Sequence, residues 1–249
     1  MPRLALISDI HGNGVALGAV LADAAARDVD EIVCLGDIAA GGPQPRQVIR
    51  RLRELGCRAV HGNADGWLLD GLPAGRSEAT RRLHETVAWA RAQLSDDDLA
   101  YLAALPKTLR CAIGGVELFC FHGSPHSDLE PLLATTSNDV LDEVVAGVRA
   151  PILAAGHTHL QLLRPHRASL LVNPGSVGLP LGATTGSQPA LPAAADYAIV
   201  TVNDREIETA FRRLPTDVDL LHAASAAMPQ ATWASDLERR ITRWNAKAS

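Results

Sequence analysis

The feature that most constrains this chain is a recurring junction, a short apolar run that stops at an aspartate, asparagine or histidine. Leu4-Ala5-Leu6-Ile7 stops at Ser8-Asp9-Ile10-His11, and Ile32-Val33-Cys34-Leu35 stops at Gly36-Asp37. Arg58-Ala59-Val60 leads into His61-Gly62-Asn63-Ala64-Asp65, Val116–Phe121 into His122-Gly123, and Ile152–Ala155 into Gly156-His157-Thr158-His159. Apolar runs this short, bounded by turn residues, read as buried strands. Helical spacing fills the intervals between the first three. Val15, Leu17, Val20, Leu21 and Ala24 mark a helix to about residue 27, and Val48, Leu52 and Leu55 mark another with Pro45 near its start. The β-α-β-α-β order over the first 65 residues predicts a parallel sheet. Ligands of open α/β sheets bind at the carboxyl ends of the strands, and the polar stops lie at those ends. One such stop is ordinary turn chemistry. All of them can converge at one sheet edge.

The rest of the chain changes character twice. Residues 66–107 read as helical: Ser77 to Leu94 carries Leu83, Val87, Ala90 and Leu94 on one side, and Ser95 caps a short helix that Pro106 stops. Asp96, Asp97 and Asp98 then sit in a first helical turn, where acids suit the helix dipole, and read as a solvated helix start. The position of this segment directly after Asn63 suggests a partial lid over the site. Thr108–Ile113 and Val116–Phe121 flank Gly114-Gly115 as a hairpin, Asn138–Val148 reads helical, and Ser169–Val172 ends in Asn173-Pro174-Gly175-Ser176. Ser176 is expected in a turn at the rim of the site. The loop 178–192 reads as site rim or plain surface. Tyr197–Val202 and Glu206–Phe211 form a second hairpin, and the tail from Pro215 carries Trp233 and Trp244 in helix-like segments. These readings divide the chain into a domain over 1–212 and a helical tail over 213–249.

Composition narrows the partners. A formal net charge of -5 and a pI near 6.0 argue against a large nucleic-acid surface. No apolar run approaches the ~18 residues of a membrane span, and no signal peptide precedes the first strand. The expected location is the cytoplasm. The four cysteines form no C-x-x-C pair, and Cys34 and Cys120 fall in predicted buried strands as core-filling thiols.

The polar stops contain two carboxylates, one amide and four imidazoles: Asp9, His11, Asp37, Asn63, His122, His157 and His159. That set lacks the sulfurs of a structural zinc site and exceeds what one ion takes. Two ions bridged by a carboxylate fit the count. A serine nucleophile does not fit, since neither Ser8 nor Ser124 lies in a Gly-x-Ser-x-Gly elbow.

In order and strand context, from about residue 3 to residue 212, the series Asp9-x-His11, Gly36-Asp37, Gly62-Asn63-x-Asp65, His122-Gly123 and Gly156-His157-Thr158-His159 resembles the calcineurin-like metallophosphoesterases. Ser8-Asp9-Ile10-His11-Gly12-Asn13 and Asn173-Pro174-Gly175-Ser176-Val177-Gly178 look most like the small prokaryotic phosphodiesterase-like members. The resemblance implies an α/β fold, a four-layer α-β-β-α sandwich of two mixed sheets. It implies that Asp9, His11 and His159 hold a first divalent transition-metal ion, that Asn63, His122 and His157 hold a second, and that Asp37 bridges them. Mn is the first choice, with Fe, Zn, Co and Ni compatible. Ions ~3.5–4 Å apart would share a hydroxide that attacks phosphorus, while their charge neutralises the equatorial oxygens. The implied partner is a small phosphate ester, with nucleotides among the candidates. The edge strands and the tail tryptophans permit a homodimer.

One departure stands out. Many members carry Gly-Asn-His-Asp/Glu, whose histidine protonates the leaving group, and this chain has Ala64 there. Asp65 is then expected to orient a ligand histidine. His126 and His61 are the other histidines near the strand ends, each a candidate acid set against a plain surface or loop role. Asn13 either contacts phosphate or caps the first helix. His84, His166 and His222 read as bystanders. Gly36-Asp37-Ile38-Ala39-Ala40-Gly41-Gly42 lacks the acid-rich Gly-Asp-x-x-Asp-Arg-Gly of protein phosphatases, which favours a phosphodiesterase. The competing reading is a non-catalytic scaffold or nucleotide-binding module of the same fold, against which the seven intact candidate ligands weigh.

Overall fold

The computed structural model describes residues 1–180, 194–204 and 206–228. Strand β1 (Arg3–Ile7) alternates strictly: Leu4 and Leu6 face a core between two sheets, while Ala5 and Ile7 face helices. That period of two dictates a strand buried on both sides. Helix α1 (Gly14–Ala25), β2 (Glu31–Cys34), α2 (Pro45–Glu54) and β3 (Arg58–Ala59) follow as expected, with β1 pairing parallel to β2 and β2 to β3. Next come α3 (Asn63–Asp70), α4 (Glu78–Ala92) and α5 (Asp96–Ala103). Ser77 and Ser95 cap α4 and α5, each accepting a backbone N–H three residues on.

The second half builds the partner sheet. Strands β4 (Thr108–Ile113) and β5 (Val116–Phe121) form the expected hairpin, and Gly114 and Gly115 both take positive φ in its turn, as a tight two-residue connection requires. Helix α6 (Asn138–Val144) ends four residues before the expected Val148. Then come β6 (Ile152–Ala154), β7 (Gln161–His166) and β8 (Ser169–Pro174). Finally β9 (Ala194–Asn203) and β10 (Glu206–Pro215) return to the first sheet, and α7 (Val218–Ser225) follows. Trp233 and Trp244, and the loop from 181 to 193, lie outside the described residues.

The sheet orders are β10-β9-β1-β2-β3 and β4-β5-β6-β8-β7, both mixed. Leu4, Leu6, Val33 and Val200 from one sheet meet Leu118, Cys120, Ile152 and Val172 from the other. On the far side of the first sheet, Ala5, Ile7 and Tyr197 pack against Leu17 and Val20 of α1, Val48 and Leu52 of α2, and Leu68 of α3. On the far side of the second, Phe121, Leu153 and Leu171 pack against Leu141 and Val144 of α6. These are the four α-β-β-α layers. Among the described residues no helix is long and apolar enough to cross a membrane.

Two elements were not anticipated. Helix α3 begins at a residue read as a strand-end loop, and β7 runs through Pro165. A proline is tolerated there because β7 is an edge strand.

Candidate metal centre

The polar stops of five strands meet at one end of the sandwich, and both sheets supply them rather than the one edge expected. The first sheet contributes Asp9 and His11 after β1, Asp37 after β2 and Asn63 after β3. The second contributes His122 directly after β5, and His157 and His159 after β6. Asp9, Asp37, His122, Asn63 and His11 are buried, and His157 and His159 are half-buried.

The backbone bends sharply to place them. Asp9, His11, Asp37, His157 and His159 have φ of 53°, 49°, 55°, 67° and 59°. Only three other non-glycine residues among those described, Asp28, Arg167 and Asp204, share that left-handed region. Each such residue costs about 1–3 kcal/mol, so their concentration here marks a site the surrounding fold holds in place. The loops are laced together: Asp9 N–H donates to the Gly36 carbonyl (3.0 Å) and His11 N–H to that of Asp37 (2.9 Å). Ser176 Oγ donates to the Asp9 carbonyl (2.8 Å), and Asn173 Nδ2 donates to the Gly156 carbonyl (2.6 Å). Ser176 is thus a fully buried support rather than part of a rim. The Asn-Pro-Gly-Ser block carried that signal without its meaning.

Each of the seven candidate ligands lies near at least one other. His159 Nε2 lies 3.2 Å from Asp9 Oδ1, and His11 Nε2 lies 3.8 Å from Asp9 Oδ1 and 3.7 Å from Asp37 Oδ2. His122 Nε2 lies 3.4 Å from Asp37 Oδ2 and 3.9 Å from Asp9 Oδ1. Asn63 Oδ1 is 3.1 Å from His122 Nε2 and faces His157 Nδ1 at 2.9 Å. Asp9, His11 and His159 form one potential cation-holding group, and Asp9, Asp37 and His122 another.

The donor chemistry fits a cation. Three imidazoles are fixed from behind, where Nδ1–H can only donate to a carbonyl: His11 to Ala40 (2.8 Å), His122 to Leu35 (2.6 Å) and His159 to Leu179 (2.8 Å). In the neutral rings the Nε2 lone pairs therefore point inward, and without a cation the Asp9 and Asp37 carboxylates draw protons onto His159 and His122 instead. His11 Nε2 and His159 Nε2 stand 3.1 Å apart, and with both rings neutral they are two acceptors with nothing of their own to share. Asp9 Oδ1 is buried without a hydrogen-bond partner. Buried acceptors turned toward one another are what a metal site needs and what a metal-free core avoids.

The titration behaviour agrees. Burial would raise the Asp9 carboxyl, but His159 and His122 outweigh it and hold it below its usual range. Asp37 is lowered in the same way, burial being overcome by His122 and His11. Burial lowers His122, yet Asp37 and Asp9 push it up to about 10. The carboxylates demand positive charge at this point.

The remaining sequence candidates fall elsewhere. Asp65 does not orient a histidine. Its two oxygens accept the N–H groups of Asp37 (3.0 Å), Ile38 (2.9 Å) and Gly62 (3.0 Å), which caps α3 and clamps the Asp37 loop. Asn13 caps the first helix: Oδ1 accepts the Ala16 N–H (3.0 Å) and Nδ2 donates to the Gly178 carbonyl (3.3 Å). His126 is exposed on the loop after β5, its N–H donating to Ser124 Oγ at 3.3 Å, and makes no contact with the cluster. His61 Nδ1 lies 3.8 Å from Asp128 Oδ2. His84 contacts the Pro73 carbonyl, and His166 pairs with Asp142.

A family model for the calcineurin-like phosphoesterase superfamily domain matches residues 3–205. This chain belongs to that superfamily. Calcineurin-like phosphoesterases are metal-dependent phosphoester hydrolases, and the cluster above contains side-chain groups that could hold such an ion. Among curated superfamily relatives, phosphodiesterase YfcE of Escherichia coli is 28% identical over 220 residues, covering 83% of this chain and 96% of its own. The crystal structure of a metallophosphoesterase from Sphaerobacter thermophilus is 28% identical, with a TM-score of 0.72 over 96% of this chain and 98% of that one. A hypothetical protein from Pyrococcus horikoshii, PH1004, shares the fold at a TM-score of 0.78 and 20% identity, over 96% and 97% of the two chains.

Proposed function

We propose that this chain is a dinuclear phosphodiesterase acting on a small phosphodiester. The observation that carries the reading is the pair of facing ligand groups, with Asp37 Oδ2 standing between His11 and His122. Asp9, His11 and His159 would hold one ion, Asn63, His122 and His157 the other, and Asp37 would join them. Bound divalent ions, Mn first among the candidates, supply charge neutralisation at the phosphoryl oxygens and acidify a water for in-line attack.

The chain's own contribution is orientation. The Ala40, Leu35 and Leu179 carbonyls fix three imidazoles, and the Ala64 N–H donates to Asp37 Oδ1 at 2.7 Å. Position 64 offers a methyl group, itself fully buried, so no side chain there gives a proton to the leaving oxygen. Esters whose leaving groups are already weakly basic are favoured accordingly. The superfamily relative named a phosphodiesterase supports the diester over the monoester, and nucleotides belong to the substrate class proposed. We further propose that 66–107 acts as a partial lid on the 1–212 domain, with 213–249 a separate tail. Four free thiols support a reducing setting such as the cytoplasm.

The test is hydrolysis of bis-p-nitrophenyl phosphate against p-nitrophenyl phosphate by metal-stripped protein reloaded with Mn. The diester is expected to be preferred, with at least ~100-fold loss in Asp37→Ala and His122→Ala. Two bound ions with no turnover of either ester would turn the reading to the non-catalytic module. Unchanged substrate preference after deletion of 66–107 would remove the lid.

A further inference from the structure

The described sheets have four edge strands, and β10 is the longest of them. β3 has only two residues. β7 has six, with Pro165 inside it, and β4 has six, with Arg110 exposed at its middle. β10 has ten residues, contains no lysine, and meets proline only at its last position. A long edge of this kind is a template for another strand. Among the described residues only β9 pairs with it.

The sequence of β10 also complements itself. Glu206 and Glu208 lie in its first half, and neither has an ion-pair partner among the described residues. Arg212 and Arg213 lie in its second half, held in place by Asp23 and Asp196. Ala210, small and exposed, lies midway. When two such strands run antiparallel about a two-fold axis at Ala210, Glu208 of each falls opposite Arg212 of the other. With the axis moved to Thr209, Glu206 takes the place of Glu208 opposite Arg212, and with it moved to Phe211 neither glutamate faces an arginine, so the acidic half meets the basic half only in registers centred on 209 or 210, of which Ala210 uses the glutamate nearer the axis.

We propose that β10 is an isologous dimer interface, pairing antiparallel with β10 of a second copy about Ala210 and continuing the first sheet across the two molecules. Among the described residues the hydrogen bonds and ion pairs of the β10 side chains involve none of the candidate ligands, so the proposal does not depend on the chemistry there.

Sedimentation velocity on the full chain tests it, with Ala210→Cys, Glu206→Cys and Glu208→Lys alongside. Cys34, Cys111 and Cys120 are buried and Cys57 is half-buried, so the introduced thiol is the exposed one. The expected results are a dimer, a disulfide-linked dimer from Ala210→Cys under mild oxidation, and none from Glu206→Cys. Glu208→Lys should weaken the dimer about tenfold, because both charge pairs turn repulsive. A monomer overturns the proposal. So does a dimer in which Ala210→Cys fails to cross-link, or one in which Glu206→Cys links equally well.

Discussion

Three backbone N–H groups converge on the Asp65 carboxylate, and two of them belong to Asp37 and Ile38. Asp65 therefore acts on the candidate metal centre through the backbone of Asp37, whose φ of 55° needs an outside hold. Asparagine at 65 keeps one acceptor oxygen, while alanine keeps none and leaves buried donors unmet. Asp65→Asn should lower Mn affinity about 10-fold or more, measured by calorimetric titration. Asp65→Ala should lower it further and destabilise the metal-free protein by about 3 kcal/mol in urea unfolding. Unchanged Mn affinity in both variants would show that the clamp serves only the helix. At this scale the seven candidate ligands were legible, because each is a polar stop after an apolar run. The role of Asp65 was not, since a backbone partner leaves no mark in a side-chain pattern. The left-handed backbone at five of the seven was equally hidden, as aspartate and histidine there carry no glycine signature.

Helix α1 is tied to β9 and β10 by one carboxylate. Asp23 accepts hydrogen bonds from Tyr197 Oη (2.6 Å), Arg27 Nε (3.0 Å) and Arg212 Nε (3.1 Å). Burial raises its pKa, but the three donors outweigh burial and bring it down to about 2 from 3.8. The folded value lies below the unfolded one, so the stabilisation is complete above about pH 4 and fades as pH falls through about 2. Asp23→Asn should cost about 1–2 kcal/mol in urea unfolding at pH 7, and the gap to the parent should narrow between pH 5 and pH 2. A gap that stays constant over that range would mean that the hydrogen bonds do not depend on the charge. Elements with caps or periodicity were readable: Ser77 and Ser95 marked the starts of α4 and α5, and Gly114-Gly115 marked a hairpin. Helix α3 escaped because its first residues double as a strand-end motif and Gly66 interrupts its helical propensity. Strand β7 escaped because Pro165 argues against a strand until its place at the sheet edge is known.

The two sheets meet through the core between them and, at one end, through the candidate ligands. Asp9, His11, Asp37 and Asn63 hang from the first sheet, while His122, His157 and His159 hang from the second. Gln161 Nε2, on the second sheet, adds a polar tie across the same gap, donating toward the carbonyls of Tyr197 and Arg212 on the first. Ions seated among those ligands would be bonded to both sheets at once and would relieve the facing lone pairs and the unpartnered Asp9 oxygen. Binding to the folded chain alone stabilises it by RT ln(1 + [metal]/Kd), about 4 kcal/mol at 1,000 times Kd. The metal-stripped chain should therefore melt several degrees below the Mn-loaded one, with the midpoint climbing as Mn is added. Asp37→Ala should abolish most of that climb and also lower the metal-free midpoint, since the buried Ala64 N–H and the His122 ring lose their partner. A midpoint indifferent to Mn in the parent chain would mean that no ion joins the sheets, and the convergence of seven ligand side chains from both would need another cause.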